Sequence, residues 1–94
     1  MALDVQRVRA EFPALALTHD GQPRIYFDNP AGTQVPELVL TRMRETMVER
    51  LANMHGVFRT SVEATELAHQ AHEVMADFYN ARSADEIVFG PNMT

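Results

Sequence analysis

The chain has 94 residues, 46% of them hydrophobic, enough for one small unit that buries roughly 60–65% of the surface its unfolded form exposes. Eight basic residues against thirteen acidic ones give a formal net charge of −5, which argues against general binding of nucleic acid or of an anionic membrane. Cysteine is absent and all eight basic residues are arginine, so the chain has no disulfide, no zinc–thiolate site, no cysteine nucleophile and no lysine amine.

From the N-terminus, Met1-Ala2-Leu3-Asp4 carries no basic stretch ahead of an apolar one, so no secretory signal is read and a cytoplasmic location is expected. Asp4 to Phe12 reads as a short amphipathic helix, because Val5, Val8 and Phe12 recur at three and four residues and Pro13 stops it. The longest apolar run, Ala14–Leu17, falls far short of the roughly 20 residues of a membrane span. Thr18 to Pro23 is a loop or hairpin turn around Asp20-Gly21. Arg24 to Asp28 is β-rich and reads as a brief strand, ended by Asn29-Pro30-Ala31-Gly32.

Pro36 suits the first position of a helix, and Glu37 suits the positive end of its dipole. Leu40, Met43, Met47, Leu51 and Met54 then give that helix one apolar face over 36–54. Thr60-Ser61-Val62-Glu63 fits a capping box opening a second long helix, whose stripe of Ala64, Ala68, Ala71, Met75 and Phe78 fades at Asn80. Glu86 to Phe89 reads as a second short strand, entering Gly90-Pro91-Asn92-Met93-Thr94. The expected fold is a mostly helical α+β segment with two short strands. Two isolated strands are marginal without partners, so the chain reads as part of a larger protein: 1–35 with the first helix, strand and turn, and 36–94 with two helices leading into a strand.

Three places could carry chemistry. Glu66, His69 and Glu73 share a helix face at carboxylate–histidine spacing, with His72 displaced from it, but no second segment offers matching ligands and no metal is expected. His55 sits in a loop with Asn53, Gly56 and Arg59, and Asn29, Ala31 and Gly32 form a turn directly after a strand; both are settings for ligand contacts, though such local patterns are more often ordinary surface loops and turns. The terminal Gly90–Thr94 loop could begin a phosphate cradle, although it matches neither the dinucleotide nor the P-loop glycine spacing.

Taken in order, these segments resemble one family. Ile25-Tyr26-Phe27-Asp28-Asn29-Pro30-Ala31-Gly32, continuing to Pro36, resembles the opening Y-L-D-x-A-A segment of class V aminotransferases. Asn53-Met54-His55-Gly56-Val57-Phe58-Arg59-Thr60-Ser61 is similar to the N-x-H-R-G-x-H-x-x-S segment of cysteine desulfurases and selenocysteine lyases, and Ala84–Phe89 to their x-E-E-I-I-F strand. The resemblance covers roughly residues 20–94. It implies an α/β parent of fold type I that uses pyridoxal 5′-phosphate, forms a homodimer, acts on cysteine or a related amino acid and passes sulfur to an acceptor protein. It places Asn29, Ala31, Gly32 and His55 on the substrate side, and Asn92, Met93 and Thr94 at the cofactor phosphate. The chain departs from the pattern where Gly56 follows His55 in place of Arg, where the loop is one residue shorter, and where Pro91-Asn92-Met93 replaces Arg-Gly-Thr. The Schiff-base lysine of the family lies beyond this segment, so the segment alone is expected to be inactive. The alternative is a stand-alone helical interaction module that docks through its Met-rich face.

Overall fold

The computed structural model describes residues 1–92 and divides into two compact units, Met1–Glu45 and Thr46–Thr94. In the first unit, α1 (Val5–Ala10) is capped by Asp4, whose carboxylate accepts from the Arg7 N–H at 3.0 Å. Pro13 converts the chain into a 3-10 turn, Pro13–Ala16. The strands β1 (Thr18–His19) and β2 (Gln22–Pro23) then pair antiparallel, Thr18 opposite Pro23 and His19 opposite Gln22. Asp20 and Gly21 both have positive φ, 49° and 75°, as a two-residue hairpin turn of the primed type requires.

The strand expected over Arg24–Asp28 is not formed. A strand needs a ladder of N–H and C=O partners, and what anchors this segment is two isolated bonds, Arg24 N–H to Leu17 O at 3.2 Å and the Tyr26 hydroxyl to Ala14 O at 3.2 Å. Ile25 and Phe27 are accordingly exposed. The 3-10 turn Asn29–Ala31 follows.

Helix α2 spans Glu37–Glu49, shorter than the 36–54 that the apolar periodicity predicts. Its first N–H, on Glu37, donates to Glu11 O at 2.8 Å, so an otherwise orphaned helix-end donor is satisfied from α1's C-terminal side.

In the second unit, α3 (Arg59–Tyr79) is the longest element. Phe58 stands at its N-cap with no side-chain bond, so the capping box expected at Thr60–Glu63 is not made. At the other end Asn80 turns left-handed, φ 55°, and Ala81 N–H reaches back to Ala76 O at 2.8 Å, which closes the helix in a Schellman-type turn. A side-chain cap occurs instead at Ser83–Glu86: Ser83 Oγ accepts from Asp85 N–H at 3.1 Å, and the Glu86 carboxylate accepts from Arg82 N–H, the residue before the cap, at 2.9 Å. These bonds wind Ala84–Glu86 into a 3-10 turn where the strand Glu86–Phe89 was expected. Residues 87–92 continue without regular structure, and Phe89 meets His72 edge to face at 4.8 Å.

Two described residues are buried, Ser61 and Ala76. The apolar stripe of α2 is exposed at Leu40, Met43 and Met47, and that of α3 at Phe78. The described residues are mostly helical with two short strands, and these strands lie in the hairpin rather than at 24–28 and 86–89. No helix among the described residues is long and apolar enough to cross a membrane.

Candidate functional site

His55 occupies the loop between α2 and α3 with φ 67°, a left-handed conformation that costs an L residue other than glycine roughly 1–2 kcal/mol. Bonds from two hydroxyls of α3 offset that cost. Thr65 Oγ1 accepts the His55 N–H at 2.8 Å and donates to Ser61 O one turn back, also at 2.8 Å. Ser61 Oγ accepts the Gly56 N–H at 2.7 Å and donates to Asn53 O. Each hydroxyl thus both accepts and donates, and Ser61, at 0% exposure, has no unpaired polar atom.

The same network holds residues 53–56 in a loop beyond the end of α2, their backbone groups at 53, 55 and 56 being taken by side chains of α3.

Beside this loop lies a cavity of about 350 Å³, lined by His55, Thr65, His69 and His72 together with Ala84 and Ile87, which run back along α3. The His72 Nδ1–H donates to Ala68 O at 2.7 Å, which in the neutral ring leaves Nε2 as an acceptor. Glu66, His69 and Glu73 do not converge, and among the described residues no group of three or more His, Asp or Glu side chains is placed to hold a metal. Arg59 is committed to its own helix: its guanidinium pairs with Glu63 at 2.7 Å, and that hydrogen bond, followed by the Glu63 charge, raises its pKa.

In the first unit, the Asn29–Gly32 turn is closed by Ala31 N–H to Asp28 O at 3.1 Å and Gly32 N–H to Asn29 O at 3.0 Å. Asn29, Ala31 and Gly32 are exposed, and the space around the Gly32 α-carbon is open. Asn92 is exposed at the end of the second unit, while Met93 and Thr94 lie outside the described residues. Sequence reasoning singled out His55 but missed Ser61 and Thr65 as its supports. The signal was a pair of hydroxyls four residues apart near a helix start, where Ser and Thr bond backbone groups outside the regular ladder.

The class-V aminotransferase family model matches residues 25–94. The chain belongs to this family. Within it, the chain is 41% identical over 90 residues to the cysteine desulfurase of Pectobacterium atrosepticum, covering 95% of this chain and 22% of that protein. It is 40% identical over 92 residues to the probable cysteine desulfurase of Streptomyces coelicolor, covering 96% of this chain and 22% of the relative. With the probable cysteine desulfurase of Mycolicibacterium paratuberculosis it shares 37% over 87 residues, covering 92% and 13% respectively. The chain spans about a fifth of the length of the first two. As a class-V aminotransferase segment it contains both the His55 loop and the Asn29–Gly32 turn within the matched region.

Proposed function

We propose that this chain is the N-terminal part of a cysteine desulfurase-like enzyme of fold type I. Residues 1–35 bring the substrate-side turn, and 36–94 the two helices that lead into the large domain. The whole enzyme works in the cytoplasm as a homodimer on cysteine or a related amino acid and hands sulfur to an acceptor protein. The observation that carries this reading is the 41% identity, over 95% of the chain, to a protein named cysteine desulfurase.

The family implies pyridoxal 5′-phosphate, and residues 1–92 do not form a site for it by themselves. The sequence holds no lysine, so the N-terminal amine is its one primary amine. Gly32 and Gly90 both open into free space, whereas the tight space at Gly56 is already filled by Ser61 and Phe58. The anchoring lysine and the partner of the pyridine ring then belong to the remainder of the enzyme. Pyridoxal phosphate, when bound, draws electron density from the substrate's α-carbon.

What this chain contributes is recognition. The His55 imidazole stands on the substrate side, where one ring nitrogen can donate and the other accept a hydrogen bond. The Asn29, Ala31 and Gly32 turn lets substrate approach the backbone closely, since small residues leave its surface open. Asn92, Met93 and Thr94 contribute N–H groups and a hydroxyl toward the cofactor phosphate.

The test is His55→Ala in the full-length enzyme. Cysteine turnover should fall while the visible absorbance of the bound cofactor stays unchanged. Loss of cofactor, or undiminished turnover, would overturn the assignment of His55.

A further inference from the structure

We infer that Thr65 and Ser61 are the positioning residues of His55, a clamp that presets the left-handed turn from which the imidazole is presented. This inference rests on the reading of His55 as a substrate-side group, and it assigns work to two residues that the sequence pattern left inside a helix.

The geometry separates their tasks. Thr65 holds His55 itself: its hydroxyl takes the His55 N–H at 2.8 Å and is oriented by donating to Ser61 O at 2.8 Å. With that carbonyl holding the hydroxyl's proton, a lone pair faces the loop. Ser61 fixes the residues on either side, Asn53 through its carbonyl and Gly56 through its N–H at 2.7 Å. The loop is thus pinned at 53, 55 and 56 by two side chains one helical turn apart, on the most buried face of α3.

Without the clamp nothing local favours φ 67° at His55, because a side-chain-bearing residue leaves that region unless the surroundings hold it there. The imidazole would then sample orientations away from the cavity that it shares with His69 and His72. A residue fixed in advance spends no binding energy on being ordered by substrate.

The experiment uses the full-length enzyme with Thr65→Val, which keeps the shape and removes the hydroxyl, and Thr65→Ser, which restores the hydroxyl. Hydrogen–deuterium exchange of the 53–58 segment reads the clamp, and cysteine kinetics read its consequence. Thr65→Val should speed exchange at His55 and lower kcat/KM about tenfold, and Thr65→Ser should recover most of both. In a His55→Ala background, Thr65→Val should cause no further loss of kcat/KM, since a positioning residue has nothing left to position.

Unchanged exchange in Thr65→Val would overturn the clamp. So would an equal loss of kcat/KM with and without His55, which would mark Thr65 as a general support of the fold. An enzyme without activity toward cysteine would refute the functional reading alone, and the exchange measurement would still decide the clamp.

Discussion

Gly56 and Ser61 approach so closely that a methyl group added to Gly56 would lie 2.7 Å from the Ser61 hydroxyl oxygen and 2.9 Å from the Phe58 ring. Ser61 cannot swing aside without abandoning the Asn53 carbonyl and the Gly56 N–H. Gly56→Ala should therefore destabilise the second unit by about 1–3 kcal/mol, the usual cost of forcing an extra carbon into a packed site. Urea denaturation of the full-length enzyme checks it. A loss within error would mean that the loop opens freely.

The isolated 94-residue chain should be helical but poorly cooperative, and should self-associate. Only Ser61 and Ala76 are buried among the described residues, while Leu40, Met43, Met47 and Phe78 face solvent. Such exposure is tolerable beneath covering structure and favours association without it. A sharp thermal transition with a monomeric mass at low micromolar concentration would contradict this.

Incubating the isolated chain with pyridoxal phosphate and borohydride should label nothing but the N-terminal amine, because no lysine is present. Peptide mapping by mass spectrometry reads the result directly, and label at any other residue would count against it.

Asn80 holds the end of α3 in a left-handed turn with φ 55°. Replacing Asn80 by Gly should leave stability unchanged or raise it slightly, while Asn80→Val should cost about 1–2 kcal/mol, since a branched side chain clashes there. Equal midpoints for the two variants in denaturation would show that the turn is not needed.

Around neutral pH the Arg59–Glu63 pair should respond to salt and not to pH. Its guanidinium is shifted upward by the hydrogen bond to Glu63 and then by that residue's charge. For a group raised on folding, the stabilisation is complete below the unfolded-state pKa and is lost only as pH climbs through the folded-state value, here in strongly alkaline solution. Arg59→Gln should therefore lower the Tm by a small amount that does not vary between about pH 6 and 9 and that shrinks in high salt. A step in that difference near neutral pH would refute the assignment.

The helices and the hairpin turn were legible because their signals are local. Asp4 with the apolar spacing to Phe12 marks α1, the Ala stripe marks α3, and Asp20-Gly21 marks the turn. The 24–28 and 86–89 strands were misread because a strand is a property of a pair, and β-rich composition cannot supply the partner. The end of α2 is not legible in the period, since Leu51 and Met54 continue it, while the loop that follows is held by hydroxyls from further along the chain. Thr60–Glu63 and Ser83–Glu86 share one spacing, and only the second caps a turn, because α3 begins at Arg59, which puts Thr60 inside the first turn and leaves Glu63 to pair with Arg59. His55 was visible as a loop histidine in a family motif. What holds it was not.

With 21 residues at 1.5 Å each, α3 measures about 31 Å, and its two flanks fold back to meet along one side: the His55 loop from its start and residues 84–89 from its end. The helix therefore acts as a ruler with a phase. Deleting one residue between Thr65 and His72 would rotate everything beyond it by about 100° and draw it in by ~1.5 Å, parting His72 and Ile87 from the His55 loop while leaving His72 against Phe89. The contraction in the family motif falls just after His55, in the loop, where no phase is counted.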